Sequence, residues 1–240
     1  DAQNTIGMFY LDAENEKDNF VKAVEWFSKA SEQGNKESQY QLGNCYFAGV
    51  GVDTNYVTAI NYYLMAAEQQ HDDAQYKLGK CYYEGKGVDT SYVNAVKWFT
   101  EAAQHSNNDA QYLLGSCYYK GQGVEKSYEE AVNWFRQSAE GGNAQAQNSL
   151  GFCYENGQGV EVDVDKAFAW YSKSAESGDA IGQCNVAQYY YRGAGVSRDY
   201  VKAVEWFSKS AEQGNVDAQF ALATCYEFGV GVEQNYVIAA

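Results

Sequence analysis

The chain has 240 residues, 45% hydrophobic and 16% aromatic, with no proline and a formal net charge of -15. Its apolar share suffices for a continuous core. The missing basic stripe excludes a general phosphate-backbone binder, and the lack of an apolar run near ~20 residues excludes a membrane span within this segment.

In chain order, the string AQYKLGKCYYEGKGV at 74–88 returns as AQYLLGSCYYKGQGV at 110–124, an offset of 36 residues. Taking the first residue of AQ as position 1, units begin at Ala2, Ser38, Ala74, Ala110, Ala146, Gly182 and Ala218, with no insertion between them. The units are therefore 2–37, 38–73, 74–109, 110–145, 146–181, 182–217 and an incomplete 218–240. A period held without slippage marks stacked supersecondary units. The expected fold is all-α: one repeat domain over 1–240, a right-handed α/α superhelical solenoid of antiparallel helix pairs.

Within a unit, Ala74, Leu78, Cys81 and Tyr82 form one helical stripe. Gly79 lies inside that helix and returns as Gly7, Gly43, Gly115 and Gly151. Glycine there costs roughly 1 kcal/mol against alanine, so its register predicts close approach of another backbone. Asp1, Asp73, Asp109 and Asp217 read as N-caps of first helices. Paired glycines such as Gly85 and Gly87 end the first helix. Asn19, Asn55, Ser91, Ser127, Asp163, Asp199 and Asn235 then read as N-caps of the second, Ser127 forming a capping box with Glu130. The second helix carries Ala95, Val96, Trp98, Phe99, Ala102 and Ala103; Gly34, Gly142, Gly178 and Gly214 end it in four units.

These residues resemble the Sel-one-like repeat (SLR) family, relatives of the tetratricopeptide repeats. The unit pattern, A-x-x-x-L-G-x-x-Y-x-x-G-x-G-V followed by a helix with A-x-x-W-x-x-x-A-A-E-x-G, runs from Ala2 to the end. Departures are local. Ala13, Asn15 and Glu16 replace the glycines and valine of the first inner turn, Tyr62 replaces a tryptophan, and Gln70 and Ser106 replace terminal glycines. The resemblance implies adaptor duty: a non-catalytic protein-binding scaffold that assembles complexes. The alternative is a hydrolase or carbohydrate-binding module on the same solenoid.

Cys45, Cys81, Cys117, Cys153 and Cys225 share one repeat position. Equivalent positions on stacked helices lie roughly 9–10 Å apart, beyond the ~7 Å Cα separation a disulfide spans. They read as free thiols in core slots, and Cys184, at position 3, as partly buried against a neighbour or exposed. The family's stapled variants, with two cysteines eight residues apart in each unit, are not matched. Free thiols incline toward a reducing compartment such as the cytoplasm. His71 and His105, with Asp72, Asp73 and Asp109 nearby, are the candidate metal ligands, but two histidines without fixed spacing read better as solvated turn residues. No cofactor is expected, since the glycine-x-glycine turns join two helices rather than a strand and a helix.

A helical wheel places positions 3, 7 and 10 of each first helix opposite the core stripe, so these should face a groove. The candidates are Tyr40, Asn44, Phe47, Tyr76, Lys80, Tyr83, Tyr112, Ser116, Tyr119, Gln188, Tyr191, Phe220 and Thr224. Position 7 varies freely, as a surface reading a ligand would need; positions 3 and 10 supply rings, which either contact a partner or stack structurally. The expected partners are proteins or peptides, with basic segments steered by the acidic charge. The last unit stops one turn into its second helix, leaving an apolar face that predicts a longer chain or a covering molecule.

Overall fold

Side-chain caps and left-handed turns divide the described residues, 2–13 and 17–239, into fourteen helices and no strand in this computed structural model. They are α1 (Ala2–Asp12), α2 (Lys17–Glu32), α3 (Lys36–Ala48), α4 (Tyr56–Glu68), α5 (Asp72–Glu84), α6 (Tyr92–Gln104) and α7 (Asn108–Lys120). There follow α8 (Tyr128–Glu140), α9 (Ala144–Asn156), α10 (Val164–Glu176), α11 (Ala180–Arg192), α12 (Tyr200–Glu212), α13 (Val216–Phe228) and α14 (Tyr236–Ala239). The chain separates into two compact units, one through Glu125 with α1–α7 and one from Lys126 with α8–α14. Inside each, helices consecutive in sequence pack as antiparallel neighbours across short turns.

The N-caps of the first helices lie two residues ahead of the expected aspartates. Asn35 accepts from Ser38 N, Asn107 from Ala110 N, Asn143 from Ala146 N, Asp179 from Gly182 N and Asn215 from Ala218 N. Asp73, Asp109 and Asp217 are therefore first-turn residues rather than caps, placed where a carboxylate meets the positive end of the helix dipole. Asp1 lies outside the described residues. The second-helix caps form as expected at Asn55, Ser91, Ser127, Asp163 and Asp199, and Asn235 accepts from Val237 N at 3.0 Å. At Ser127 the hydroxyl accepts from Glu130 N at 3.2 Å. Asn19 differs: α2 already starts at Lys17, so Asn19 is inside it. Of the altered first inner turn, Asn15 and Glu16 lie outside the described residues.

Second helices pack on the first helix of the following repeat. In the first unit Ala59, Ile60, Tyr63, Ala66 and Ala67 of α4 bury against Ala74, Leu78 and Cys81 of α5. Ala167, Tyr171 and Ala175 of α10 meet Val186 and Tyr189 of α11 in the second. The glycine inside the first helix admits a ring, not the backbone expected there. A Cβ on Gly79 would stand 2.6 Å from Phe99 Cδ1, one on Gly43 2.5 Å from the Tyr63 ring, and one on Gly151 2.7 Å from that of Tyr171. Close backbone approach occurs instead at the second glycine of the inner turn. A Cβ on Gly123 would collide with the Tyr92 carbonyl, and one on Gly87 would lie 2.8 Å from the Tyr56 carbonyl carbon. This contact ties the inner turn of one repeat to the start of the preceding second helix.

Two side chains occupy a glycine conformation. Gln70 (φ 58°) and Ser106 (φ 66°) take the left-handed backbone that Gly34, Gly142, Gly178 and Gly214 adopt elsewhere in the register. The conformation costs a non-glycine residue roughly 1 kcal/mol or more. We expect Gln70→Gly and Ser106→Gly each to stabilise by about 0.5–1 kcal/mol in urea titrations, after glycine's larger unfolded-state entropy is subtracted. Loss of stability in both would mean that their side chains contribute contacts worth more than the strain.

Position 2 was not foreseen as core. Gln39, Gln75, Gln111, Gln147 and Gln183 are buried, and Nε2 of Gln75, Gln111, Gln147 and Gln183 donates to Ala67, Ala103, Ala139 and Ala175 O at 3.1–3.4 Å. Those carbonyls close the preceding helix and have no partner within it. The Oε1 of Gln39 accepts from Gln69 and that of Gln183 from Gln213, each thirty residues ahead. For Gln75 that register holds His105, which is paired with Asp72, and Gln75 Oε1 has no partner among the described residues.

Candidate functional site

The candidate face is built from positions 3, 7 and 10 of the odd-numbered helices. In the first unit its rings lean back onto the second helix of their own repeat. Phe47 meets Tyr56 edge-on at 5.1 Å, Tyr83 meets Tyr92 at 5.2 Å, and Tyr76 lies 6.4 Å from Phe99. Tyr40 stacks on His71 at 4.5 Å. Long helical side chains point back over the preceding turn, so these rings reach sideways to the partner helix and are half-buried rather than opposite the core. Tyr112 and Tyr119 are half-buried as well.

Position 7 divides by residue. Asn44 accepts the Tyr63 hydroxyl at 2.9 Å, whereas Lys80 reaches an ion pair with Glu84 at 3.6 Å and stands 5.8 Å from the Tyr76 ring centre. Ser116, expected on the groove wall, is buried at 8% exposure; its short side chain is covered where a longer one would project. In the second unit Gln188 and Thr224 are half-buried, while Tyr191 and Phe220 are exposed. Tyr191 is edge-on to Tyr200 at 5.1 Å.

Two repeats carry a carboxylate at position 10, Glu155 and Glu227. Glu155 Oε2 accepts the Tyr171 hydroxyl at 2.8 Å, and the Tyr171 ring meets that of Tyr189 edge-on at 5.5 Å. Burial, reinforced by that carboxylate, raises both phenols well above the ordinary tyrosine range. The Tyr171 hydroxyl donating to this carboxylate forms a structural link between α9 and α10 inside the second unit. Sequence spacing did not single it out, since Glu155 stands where the second, third, fourth and sixth repeats carry a ring.

All six cysteines are free and buried, Cys184 included at 3% exposure. Burial pushes the thiols of Cys45, Cys81 and Cys117 up to about 11 and that of Cys153 to about 12, which suppresses the nucleophilic thiolate at neutral pH. His71 is a half-buried structural fastener, whereas His105 is an exposed turn residue as expected. His71 caps α5, its Nδ1 accepting from Ala74 N at 3.3 Å, while Nε2 lies 3.0 Å from Glu37 Oε2. That geometry assigns the proton of the neutral ring to Nε2. His105 Nδ1 pairs with Asp72 Oδ1 at 2.8 Å. Among the described residues no three His, Cys, Asp or Glu side chains are grouped to hold a metal. The register of Asn35, Asn107 and Asn143 would have pointed to His71 as a cap.

The Sel1 repeat signature matches seven times, over residues 1–35, 36–71, 72–107, 108–143, 144–179, 180–215 and 216–240. The chain belongs to the Sel1 repeat family. No curated protein matches it. Among solved structures, it is similar to a protective antigen of uropathogenic Escherichia coli with an SLR fold, at 39% identity and a TM-score of 0.91, covering 99% of this chain and 51% of that one. A Sel1 repeat protein from Oxalobacter formigenes is 32% identical with a TM-score of 0.89, covering 99% and 96% of the two chains. The chain thus spans about half the length of the Escherichia coli antigen. An immunity protein of Pseudomonas aeruginosa, at 21% identity and a TM-score of 0.51 over 90% of this chain and 81% of its own, shares the fold alone. Sel1 repeats place this chain in the class of helical solenoids whose general role is protein interaction. No described helix is long and apolar enough to cross a membrane.

Proposed function

We propose that this Sel1 repeat chain is a non-catalytic scaffold that holds a peptide or protein segment along the face of its first helices. The observation that carries this reading is the combination of an invariant framework with a variable row. From the second to the sixth repeat positions 1, 2, 5 and 8 are closed into the core, whereas position 7 presents Asn44 and Lys80 in the first unit and Gln188 in the second. Rings at positions 3 and 10 flank that row and offer rigid apolar area at little entropic cost. A segment with basic residues fits the net charge of -15 best.

The test uses photo-crosslinking residues at Lys80 and Tyr191, with mass spectrometry of the adducts formed in the native source. Once an adduct names the partner, Tyr83→Ala with Tyr119→Ala is expected to weaken binding by about 2 kcal/mol or more. Because Tyr83 also packs on Tyr92, Lys80→Glu serves as a variant outside the core, expected to tighten binding of a basic segment that contacts this row without shifting the melting temperature. Lower stability with unchanged affinity in the ring variant, together with no effect of Lys80→Glu, would assign the rings to structure alone.

A further inference from the structure

A pair of amides spans two first helices of the second unit, and what it leaves unpaired deepens the scaffold reading, on which it rests. Position 3 of α3 and α5 carries Tyr40 and Tyr76, whose rings lean onto Tyr63 and Phe99. In α9 the same position holds Asn148, which has no ring to tuck away and reaches instead toward α11. Asn185 Nδ2 donates to Asn148 Oδ1 at 2.8 Å, across 37 residues of sequence. A primary amide carries two N–H donors and two acceptor lone pairs. After this bond, the amino group of Asn148 and the carbonyl of Asn185 have no partner among the described residues, and turning both amides over leaves the same remainder. Both residues are half-buried, and α9 and α11 are each followed by a whole second helix, α10 and α12.

One donor and one acceptor, held next to each other by the bond between the two side chains, match the N–H and C=O that a single residue of an extended chain points to one side. Because neither amide turns freely, little side-chain freedom is lost when a ligand binds. A sugar, by contrast, presents hydroxyls that are each donor and acceptor at once. Phe152 lies one turn beyond Asn148 on α9, about 6 Å along the helix, and is 42% exposed. Position 7 is polar in α3, α5, α7 and α11, with Asn44, Lys80, Ser116 and Gln188. A lone exposed ring needs no explanation, but this one stands beside the unpaired amides. A strand bonded to them through its backbone sends its side chains sideways, toward Phe152 on one flank. We propose that Asn148 and Asn185 hold the main chain of an extended peptide from another protein, and that Phe152 receives one apolar side chain of it. The main-chain contact ignores sequence, so the ring supplies the selection.

The probe is a library of degenerate nonamer peptides passed over the immobilised chain, each retained peptide then being remade with one N-methyl amide at successive positions. Retained peptides should share one apolar residue and little else. N-methylation of one amide near that residue should lower affinity about three- to tenfold, the loss of one hydrogen bond, and should make no difference on Asn185→Ala, which lacks the acceptor. Asn148→Asp keeps the bond from Asn185 and removes the outward donor, so it should weaken uncharged peptides by a similar factor with the melting temperature unchanged. Phe152→Ala should lose the apolar preference and keep the sensitivity to N-methylation. An N-methyl effect of equal size on Asn185→Ala, or none on the unaltered chain, would overturn the amide assignment, and retained peptides without a shared apolar residue would overturn the role of Phe152. Binding to an oligosaccharide array that Asn185→Ala abolishes would give the pair to a sugar and overturn the proposal. Absence of any retention would overturn it too; the scaffold reading would then fall only if crosslinking at Lys80 and Tyr191 also yielded no partner.

Discussion

Gly123→Ala should lower stability by about 2–5 kcal/mol, while Gly142→Ala should cost only about 1–2 kcal/mol. Both glycines have positive φ, 75° and 93°, so a methyl group meets the same backbone penalty of roughly 1–2 kcal/mol at either site. Their surroundings differ. Nothing lies within 4 Å of a Cβ on Gly142, whereas one on Gly123 collides with the Tyr92 carbonyl, and that neighbour is backbone at a helix start. Relief requires the inner turn to shift away from α6, adding overpacking of about 1–3 kcal/mol. Against a typical total of 5–15 kcal/mol the larger loss is severe. Because a repeat contacts only its neighbours, amide exchange in the Gly123 variant should accelerate most across α6 and the 121–125 turn. Equal destabilisation by the two substitutions would show that φ alone governs these turns.

The period, the helix pairing and the family were legible in the sequence because each rests on residues that repeat: the AQ start, the glycine pair and the polar caps of the second helix. What escaped depended on depth and direction. Gln75 looks polar and therefore exposed, yet it is buried with its Nε2 donating to the Ala67 carbonyl, which also accepts from Gln70 N at the end of α4. Asp73 looks like a cap, but the extended backbone that a cap requires falls two residues earlier, at His71. Gly79 was placed correctly and explained wrongly, since an alignment of repeats shows that space is needed without showing that the Phe99 ring fills it. The candidate face suffered from the same limit. A helical wheel treats position 3 as opposite the core, whereas Tyr40 and Tyr76 bend back onto Tyr63 and Phe99.

Raising the pH above about 9 should destabilise the fold, and the buried thiols set the sign. In the unfolded chain a thiol ionises near 9; in the fold, burial raises Cys45, Cys81 and Cys117 to about 11 and Cys153 to about 12. A raised pKa means that the folded state holds the proton more tightly. The stabilisation is complete below about pH 9 and is lost as pH climbs toward 11–12, because the unfolded chain gives up its protons first. Each thiol contributes on the order of 2 kcal/mol to that loss. Tyr76, raised to about 12 by burial, acts in the same direction, so urea titrations at pH 8, 9, 10 and 11 should show a flat region followed by a steep fall. Cys117→Ala removes one of the titrating groups and should make the fall shallower, even though it starts from lower stability. At pH 8 a small alkylating reagent should label Cys45, Cys81, Cys117, Cys153 and Cys225 slowly in the native protein and completely in urea. Fast labelling of all five in the native state, or a stability that is flat to pH 11, would mean that the thiols reach solvent and are not the core slots that their register describes.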